Sequence, residues 1–405
     1  MDRNITSFIS ILSEKGNFMH QKKRFLLDPK ITFLNHGSFG ACPKPVFDVY
    51  QAWQRELEYH PVEFLGRRAV PLLAESREKL AEYLHCAAQD VVYFPNPSTA
   101  INMVVRNLDL QFGDEILATD HEYGAMDRTW RYFCEKAGAR YVQRHIPLPV
   151  TTHADFVELF WAGVTPKTKI IFLSHITSIT ALIFPVAEIC KRAREAGILC
   201  IVDGAHAPGQ ISLDLTELDA DIYTGALHKW TLAPKGTAFL YVRHEMQSWL
   251  DPLVVSWGYD AEVGFGSGNQ FIDYHEWQGT RDIAAFLSVS AAINYQREQD
   301  WDHVRTRCRN LLGVAMQKIQ SLTGMPPIAP HPSAWYGQMA ALPLPLSVDG
   351  TVLQKKLYDN YQIEIPHTRW KEQSFLRISI QEYNSLEDIN ILLNALEEML
   401  PDNQL

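Results

Sequence analysis

The sequence predicts an α/β protein, with a large domain on a mostly parallel sheet followed by a smaller α+β domain at the C-terminal end. Three observations lead there. Between about Val91 and Arg243, short β-rich runs alternate with helix-like stretches, the pattern of strands joined by crossover helices. Several of those runs, KIIFLSH and ILCIVDG among them, are continuously apolar, as expected of strands covered on both faces. Beyond about Ala284, long helical stretches take over and leave one or two strand-like runs.

Residues 1–45 read as an N-terminal segment, 46–284 as the large domain and 285–405 as the small one. A helix is expected from Val46 to about Tyr59, where Phe47, Tyr50, Trp53 and Leu57 recur at three- and four-residue spacing. A second runs from about Pro71 to Leu84. Strands are expected at Val91–Phe94, Glu115–Ala118, Lys169–Ser174, Leu199–Val202, Asp221–Thr224 and Thr237–Val242. In the small domain a helix ends near Leu322, Met325–Pro332 is a Pro-rich loop, and Gln338–Leu344 and Ser374–Ile380 read as strands. The last helix opens with a capping box, Ser385 and Asp388, and presents Leu386, Ile389, Leu393, Leu396 and Leu400 on one face.

Bulk properties exclude several classes of function. At 405 residues, 46% hydrophobic and 21% charged, the chain is globular and large enough for more than one domain. A net charge of −10, with no basic run longer than Lys22–Arg24, argues against nucleic acid as a partner. No stretch approaches the length of a membrane span, and the first thirty residues mix charges with short apolar runs, unlike a signal peptide. A cytoplasmic location is the expectation. The six cysteines are scattered, with no CxxC pair and no histidine at metal-ligand spacing, so reduced, mostly buried thiols and no metal are expected.

The chemistry concentrates in IVDGAHAPGQ and GALHKWTLAPKGTAFLYV, which place Asp203 at the end of an apolar strand and Lys229 just before the next. Stabilising a carbanion at an amino acid's α-carbon requires an amine to hold a cofactor aldehyde and an anion beside its pyridine nitrogen. Lys229 and Asp203 fit those roles, which point to pyridoxal 5′-phosphate held as a Schiff base. Singly, each has a bland alternative, a solvated lysine and a turn aspartate. The apolar neighbours Leu227, Trp230 and Leu232 would desolvate the amine and lower its pKa.

These stretches resemble class V aminotransferase-type pyridoxal phosphate enzymes, in particular the isopenicillin N epimerase-like branch. FLNHGSFGACP, NPSTAIN, DHEYGAM, SHITSITALIFP, EWQGTRD and LRISIQEYN look like further family blocks, in family order from Phe33 to Asn384. The resemblance implies the fold type I architecture of pyridoxal phosphate-dependent transferases. It also implies roles. Ser98 and Thr99 open a helix and would hold the cofactor phosphate, although an ordinary N-cap explains them equally well on sequence. Tyr123 would stack on the pyridine face, its alternative being a core tyrosine. His206 would reach the phenolic oxygen, His228 and Ser178 would belong to the cofactor site, and Arg377 would grip the substrate carboxylate. Asn35, His36 and Gly37 would line the substrate side. Gly279 and Thr280 resemble residues that reach the neighbouring subunit's phosphate, which implies a homodimer with shared sites.

Two departures from related enzymes matter. The segment Ile365–Phe375, where cysteine desulfurases of this class carry a mobile catalytic cysteine, reads IPHTRWKEQSF, which disfavours persulfide formation but not β-elimination. Ala226 stands where relatives often have a polar phosphate ligand. Three fates of the carbanion remain open: epimerisation, C–S β-elimination from a cysteine conjugate or sulfoxide, and transamination. A non-catalytic pyridoxal phosphate carrier is the alternative outside enzymes.

Overall fold

A computed structural model describes residues 21–261, 266–330 and 332–400; the first twenty residues of the expected N-terminal segment and His331 of the Pro-rich loop lie outside them. The strands, in chain order, are β1 (Thr32–Phe33), β2 (Val91–Phe94), β3 (Glu115–Thr119), β4 (Arg140–Arg144), β5 (Thr168–Ser174), β6 (Leu199–Asp203), β7 (Ile222–Ala226), β8 (Ala238–Val242), β9 (Met339–Pro343), β10 (Ile363–Glu364), β11 (His367–Trp370) and β12 (Gln373–Ser379).

Seven of them form the large sheet in the order β2-β8-β7-β6-β5-β3-β4. Pairings from β7 through β4 are parallel, and β8 alone runs against both its neighbours. Every residue of β2, β3, β7 and β8 is buried. Alternate residues face two different cores: Val92, Phe94, Ile116, Phe172 and Ile201 one, Val91, Tyr93, Leu117, Ile171 and Val202 the other. Burial on both faces is why these strands read as unbroken apolar runs. Each fully buried Val, Leu or Ile stabilises by roughly 1.5–3 kcal/mol. β4 was not expected from the sequence: RYVQR is a partly exposed edge strand with arginines at both ends, which blunts the sheet against further pairing but hides the strand pattern.

The helices that position the site are α1 (Lys44–Tyr59), α2 (Ala69–Leu84), α3 (Pro97–Arg106), α4 (Gly124–Ala137), α5 (Val186–Glu195), α6 (Val289–Glu298), α7 (Trp301–Thr323) and α8 (Leu386–Met399). The capping box of α8 forms as expected, Ser385 accepting from the Asp388 amide. In the C-terminal part β9, β12 and β11 make an antiparallel sheet. β11 and its turn into β12 were also missed. Trp370, at the end of that hairpin, stacks on His121 and His145 with ring centroids 4.6 and 5.7 Å apart, and Lys371 sits 3.0 Å from Asp120. The division near residue 284 stands as a proposal; α6 packs on α1 and α2, so a shared core crosses it. Among the described residues no helix is long and apolar enough to cross a membrane.

The N-terminal segment ties the two ends of the chain together. β1 pairs in parallel with β10, Asn35 bridges to Ser379, and the chain then crosses to the loop between β7 and β8. There Gly40 has φ +69, and a Cβ on it would lie 2.1 Å from the His228 carbonyl. Gly236 has a similar φ of +85 with open space around it. Gly236→Ala should therefore cost about 1–2 kcal/mol for the left-handed backbone alone. Gly40→Ala should cost roughly 1–3 kcal/mol more, because backbone must move as well. Urea denaturation of the two variants checks the difference, and equal losses would refute the close approach.

Candidate active site

The carboxyl ends of β5 and β6 and the loop after β7 meet in one cleft, the place where open parallel sheets bind ligands. It brings together Ser98, Tyr123, Ser178, Asp203, His206, His228 and Lys229, residues separated by as much as 131 positions along the chain.

Lys229 lies at the centre. Burial, and secondly the positive charge of Arg377, pull its amine from the ordinary 10.5 down to about 8, with Asp203 pulling the other way. Its Nζ is 3.1 Å from His206 Nε2, and the Trp230 indole N–H donates to His206 Nδ1 at 3.2 Å. Asp203 is the last residue of β6. Burial raises its carboxyl, while the Ala205 amide, donating at 2.9 Å, and the charge of Lys229 favour the ionised form. Among the described residues it has no salt bridge within 4 Å.

Arg377, on β12, is 4% exposed, and burial penalises its charge. Its Nη1 donates to the Ser178 carbonyl at 2.7 Å, with the Ser178 hydroxyl at 3.3 Å, and Nη2 donates to Ser38 at 2.9 Å. Nε has no partner among the described residues. Neutral oxygens therefore hold a buried guanidinium that pairs with no carboxylate among the described residues. Ser38 was missed by sequence reasoning. Its hydroxyl donates to Asn35 at 2.6 Å, and Asn35 in turn donates to Glu364 at 3.0 Å. Its signal was present in the NHGSFG block, but a serine there looks like any turn residue.

The other expected residues fall in different places. Tyr123 lines the cleft and is half-exposed. Thr99 does not line it: its amide and hydroxyl both donate to Asn96, at 2.8 and 3.0 Å. The true cap of α3 is Asn96, so Ser98 alone of the expected pair faces the cleft. His228 donates from Nδ1 to the Thr237 carbonyl at 2.9 Å, and burial lowers its pKa to about 4; the ring is neutral with Nε2 bare. His36 is fully buried behind the lysine. Its Nε2 donates to the Lys229 carbonyl at 3.0 Å and its Nδ1 accepts from Tyr383 at 2.9 Å, so it holds the lysine's backbone and does not face the substrate side. Gly37 is packed against Met339 and Ser379, where a Cβ would lie 2.6 and 2.8 Å from side-chain atoms. Thr280 is exposed and outside this cleft.

Glu122 was also missed. It is buried beside Tyr123, and burial first, with Asp203 adding repulsion, raises its carboxyl to about 8. It accepts from Thr119, from the Ser174 amide at 2.8 Å and from the Ser174 hydroxyl at 2.7 Å, fastening the loop that carries Tyr123 to the end of β5.

Residues 42–392 match the family described as Aminotransferase class-V. The chain belongs to the class V aminotransferases. An isopenicillin N epimerase of Amycolatopsis lactamdurans is 34% identical over 93% of this chain and 97% of that protein. A putative L-cysteine desulfhydrase 1 of Oryza sativa subsp. japonica is 27% identical over 98% and 87%. Among solved structures, a cysteine desulfurase from Thermococcus onnurineus NA1 superposes with a TM-score of 0.80 over 94% of this chain and 98% of its own, at 19% identity, which confirms the fold type I architecture.

Class V enzymes use pyridoxal 5′-phosphate, and the donor set here fits it. A buried amine of lowered pKa suits the aldehyde, a buried carboxylate without a salt bridge suits the pyridine nitrogen, and the partnerless Nε of Arg377 suits a substrate anion. In cofactor-free class V protein, acylation of Lys229, followed by mass spectrometry, should rise with a midpoint near pH 8, because only the neutral amine reacts. Asp203→Asn removes a charge that favours the ammonium and should lower the midpoint. Arg377→Met removes one that opposes it and should raise it. Midpoints that stay at an ordinary lysine value would overturn this electrostatic account.

Proposed function

We propose that this enzyme removes the α-proton of an amino acid with Lys229 while Arg377 holds the substrate carboxylate. The observation that carries the reading is the buried Arg377, hydrogen-bonded to the cleft residues Ser38 and Ser178, with an Nε that has no partner among the described residues and a charge that lowers the pKa of Lys229. A bidentate guanidinium fixes a carboxylate in one orientation, which turns the Cα–H bond toward one base. Asp203 would keep the pyridine nitrogen protonated, Tyr123 would cover the ring, and Ser98 with His228 would hold the phosphate. Bound there, pyridoxal phosphate supplies an electron sink for the carbanion. His228 presents a bare Nε2, so it serves a phosphate oxygen only as an acceptor or after taking a proton itself. Thr280, exposed and not lining this cleft, would serve the site of a second copy, which would make the enzyme a homodimer. The cytoplasm is its proposed location.

For the fate of the carbanion, epimerisation is our first reading, supported by the 34% identity to an isopenicillin N epimerase over nearly the whole of both chains. Inversion requires a second proton carrier. Of the cleft's titratable side chains, Asp203, His206 and His228 are each engaged by neighbours, whereas the Tyr123 hydroxyl makes no hydrogen bond among the described residues. Tyr123 is therefore our candidate for the returning acid. C–S β-elimination is the second reading. It needs only Lys229 as base, and a putative L-cysteine desulfhydrase is similar over 98% of the chain.

Incubation with amino acids and cysteine conjugates in deuterated water separates the two. α-Deuteration with inversion supports epimerisation, pyruvate and sulfide support the lyase, and a keto acid with pyridoxamine phosphate would point to transamination. Lys229→Ala should abolish all exchange. Arg377→Met should raise KM at least 10-fold, equivalent to about 1.4 kcal/mol or more of lost binding. Tyr123→Phe should suppress inversion while α-proton loss persists. Should no amino acid exchange its α-proton, the proposal fails.

A further inference from the structure

Beside the lysine, the proton positions of three side chains are tied together. The Trp230 indole is a donor only, and it points at His206 Nδ1 from 3.2 Å. His206 Nδ1 must then carry the lone pair. Burial, with Lys229, Arg377, His228 and His36 all opposing further positive charge, keeps this imidazole neutral, so its single proton is on Nε2. That N–H faces Lys229 Nζ at 3.1 Å, and a donor facing Nζ is satisfied only by an amine with its lone pair free. An ammonium there would set two donors against each other.

We propose that Trp230 is a positioning residue: its indole fixes the Nε2–H tautomer of His206, which presents a donor to Lys229 and favours the free amine over the ammonium. The donor chain runs one way, Trp230 to His206 to Lys229. Trp230 is fully buried, and Gln296 donates to its backbone carbonyl at 2.9 Å, so the indole has little freedom to turn away. Without the indole N–H, His206 is free to move its proton to Nδ1 and accept from a protonated Lys229 through Nε2. The inference deepens the reading of Lys229 as the reactive amine and takes its meaning from it, but the proton arrangement belongs to the protein without cofactor.

Two measurements on the full-length, cofactor-free protein test it. The first uses wild type held above the Lys229 midpoint near pH 8: with 15N-labelled histidine, solid-state NMR should show His206 with a protonated Nε2 and a bare Nδ1, the signal being assigned by its loss in His206→Leu. A proton on Nδ1, or on both nitrogens, overturns the proposal. The second is the pH midpoint of Lys229 acylation, which Trp230→Phe should raise by about one unit, the scale of one hydrogen bond to a charged group. Loosened packing would raise it too, so the substitution is repeated in His206→Leu. The shift should vanish there, and a shift that persists would assign the effect to solvation and overturn the tautomer role. Both readouts are independent of pyridoxal phosphate uptake. A protein that never binds the cofactor would refute the proposed function and leave the donor chain standing or falling on its own.

Discussion

The Lys229 amine lies within hydrogen-bonding reach of His206 in a site withdrawn from water, and the expense of charging a buried amine sets the terms for its neighbours. Asp203 opposes the drop in pKa and Arg377 reinforces it. The two charges flank the lysine without pairing to each other, the carboxylate lacking a salt bridge and the guanidinium held by hydroxyls and a carbonyl. Such an arrangement is unfavourable for stability taken alone. It becomes reasonable when a zwitterionic ligand and a pyridine nitrogen bring the missing charges, and perturbed groups gathered in a cleft are the usual mark of such a site.

The sheet provides what these side chains cannot provide for themselves. Asp203 and Ser174 end adjacent parallel strands and pair in register, so the carboxylate and the anchor of the Glu122 loop stand side by side. Glu122 then fixes the loop that leads into Tyr123 and α4. In the same way Arg377 is placed by an antiparallel strand whose neighbour, the β11 turn, is clamped by the rings of His121 and His145. Where cysteine desulfurases of this class are expected to carry a mobile thiol, this chain has a stacked tryptophan and an ion pair, a wall and not a reagent.

Much of this was legible in the sequence, for identifiable reasons. Val91–Phe94 forms as expected, and Thr168–Ser174 and Leu199–Asp203 each extend one residue beyond expectation, because burial on both faces writes an unbroken apolar run. That Lys229 and Asp203 meet in one cleft was legible because their spacing follows the strands. What escaped reading depended on partners distant in sequence. RYVQR and HTRW are polar strands whose pairing, not composition, makes them strands. Asn96 took both donors of Thr99, a local competition that hydroxyls at a helix start do not reveal. His36 looked like a substrate contact, yet its two nitrogens are spoken for by Lys229 and Tyr383, 193 and 347 residues away.

That last contact carries a consequence for how the enzyme comes into being. The carbonyl of the lysine is fastened by a histidine whose own segment is anchored through β1 to β10, near the opposite end of the chain. During synthesis the large sheet has all its strands once β8 has emerged, but Lys229 is not braced until residues beyond 360 have arrived. Contacts of such long sequence separation form late and slowly. Assembly thus has an order, in which the Lys229 amine is set in place only after the distant strand that anchors its brace has been made.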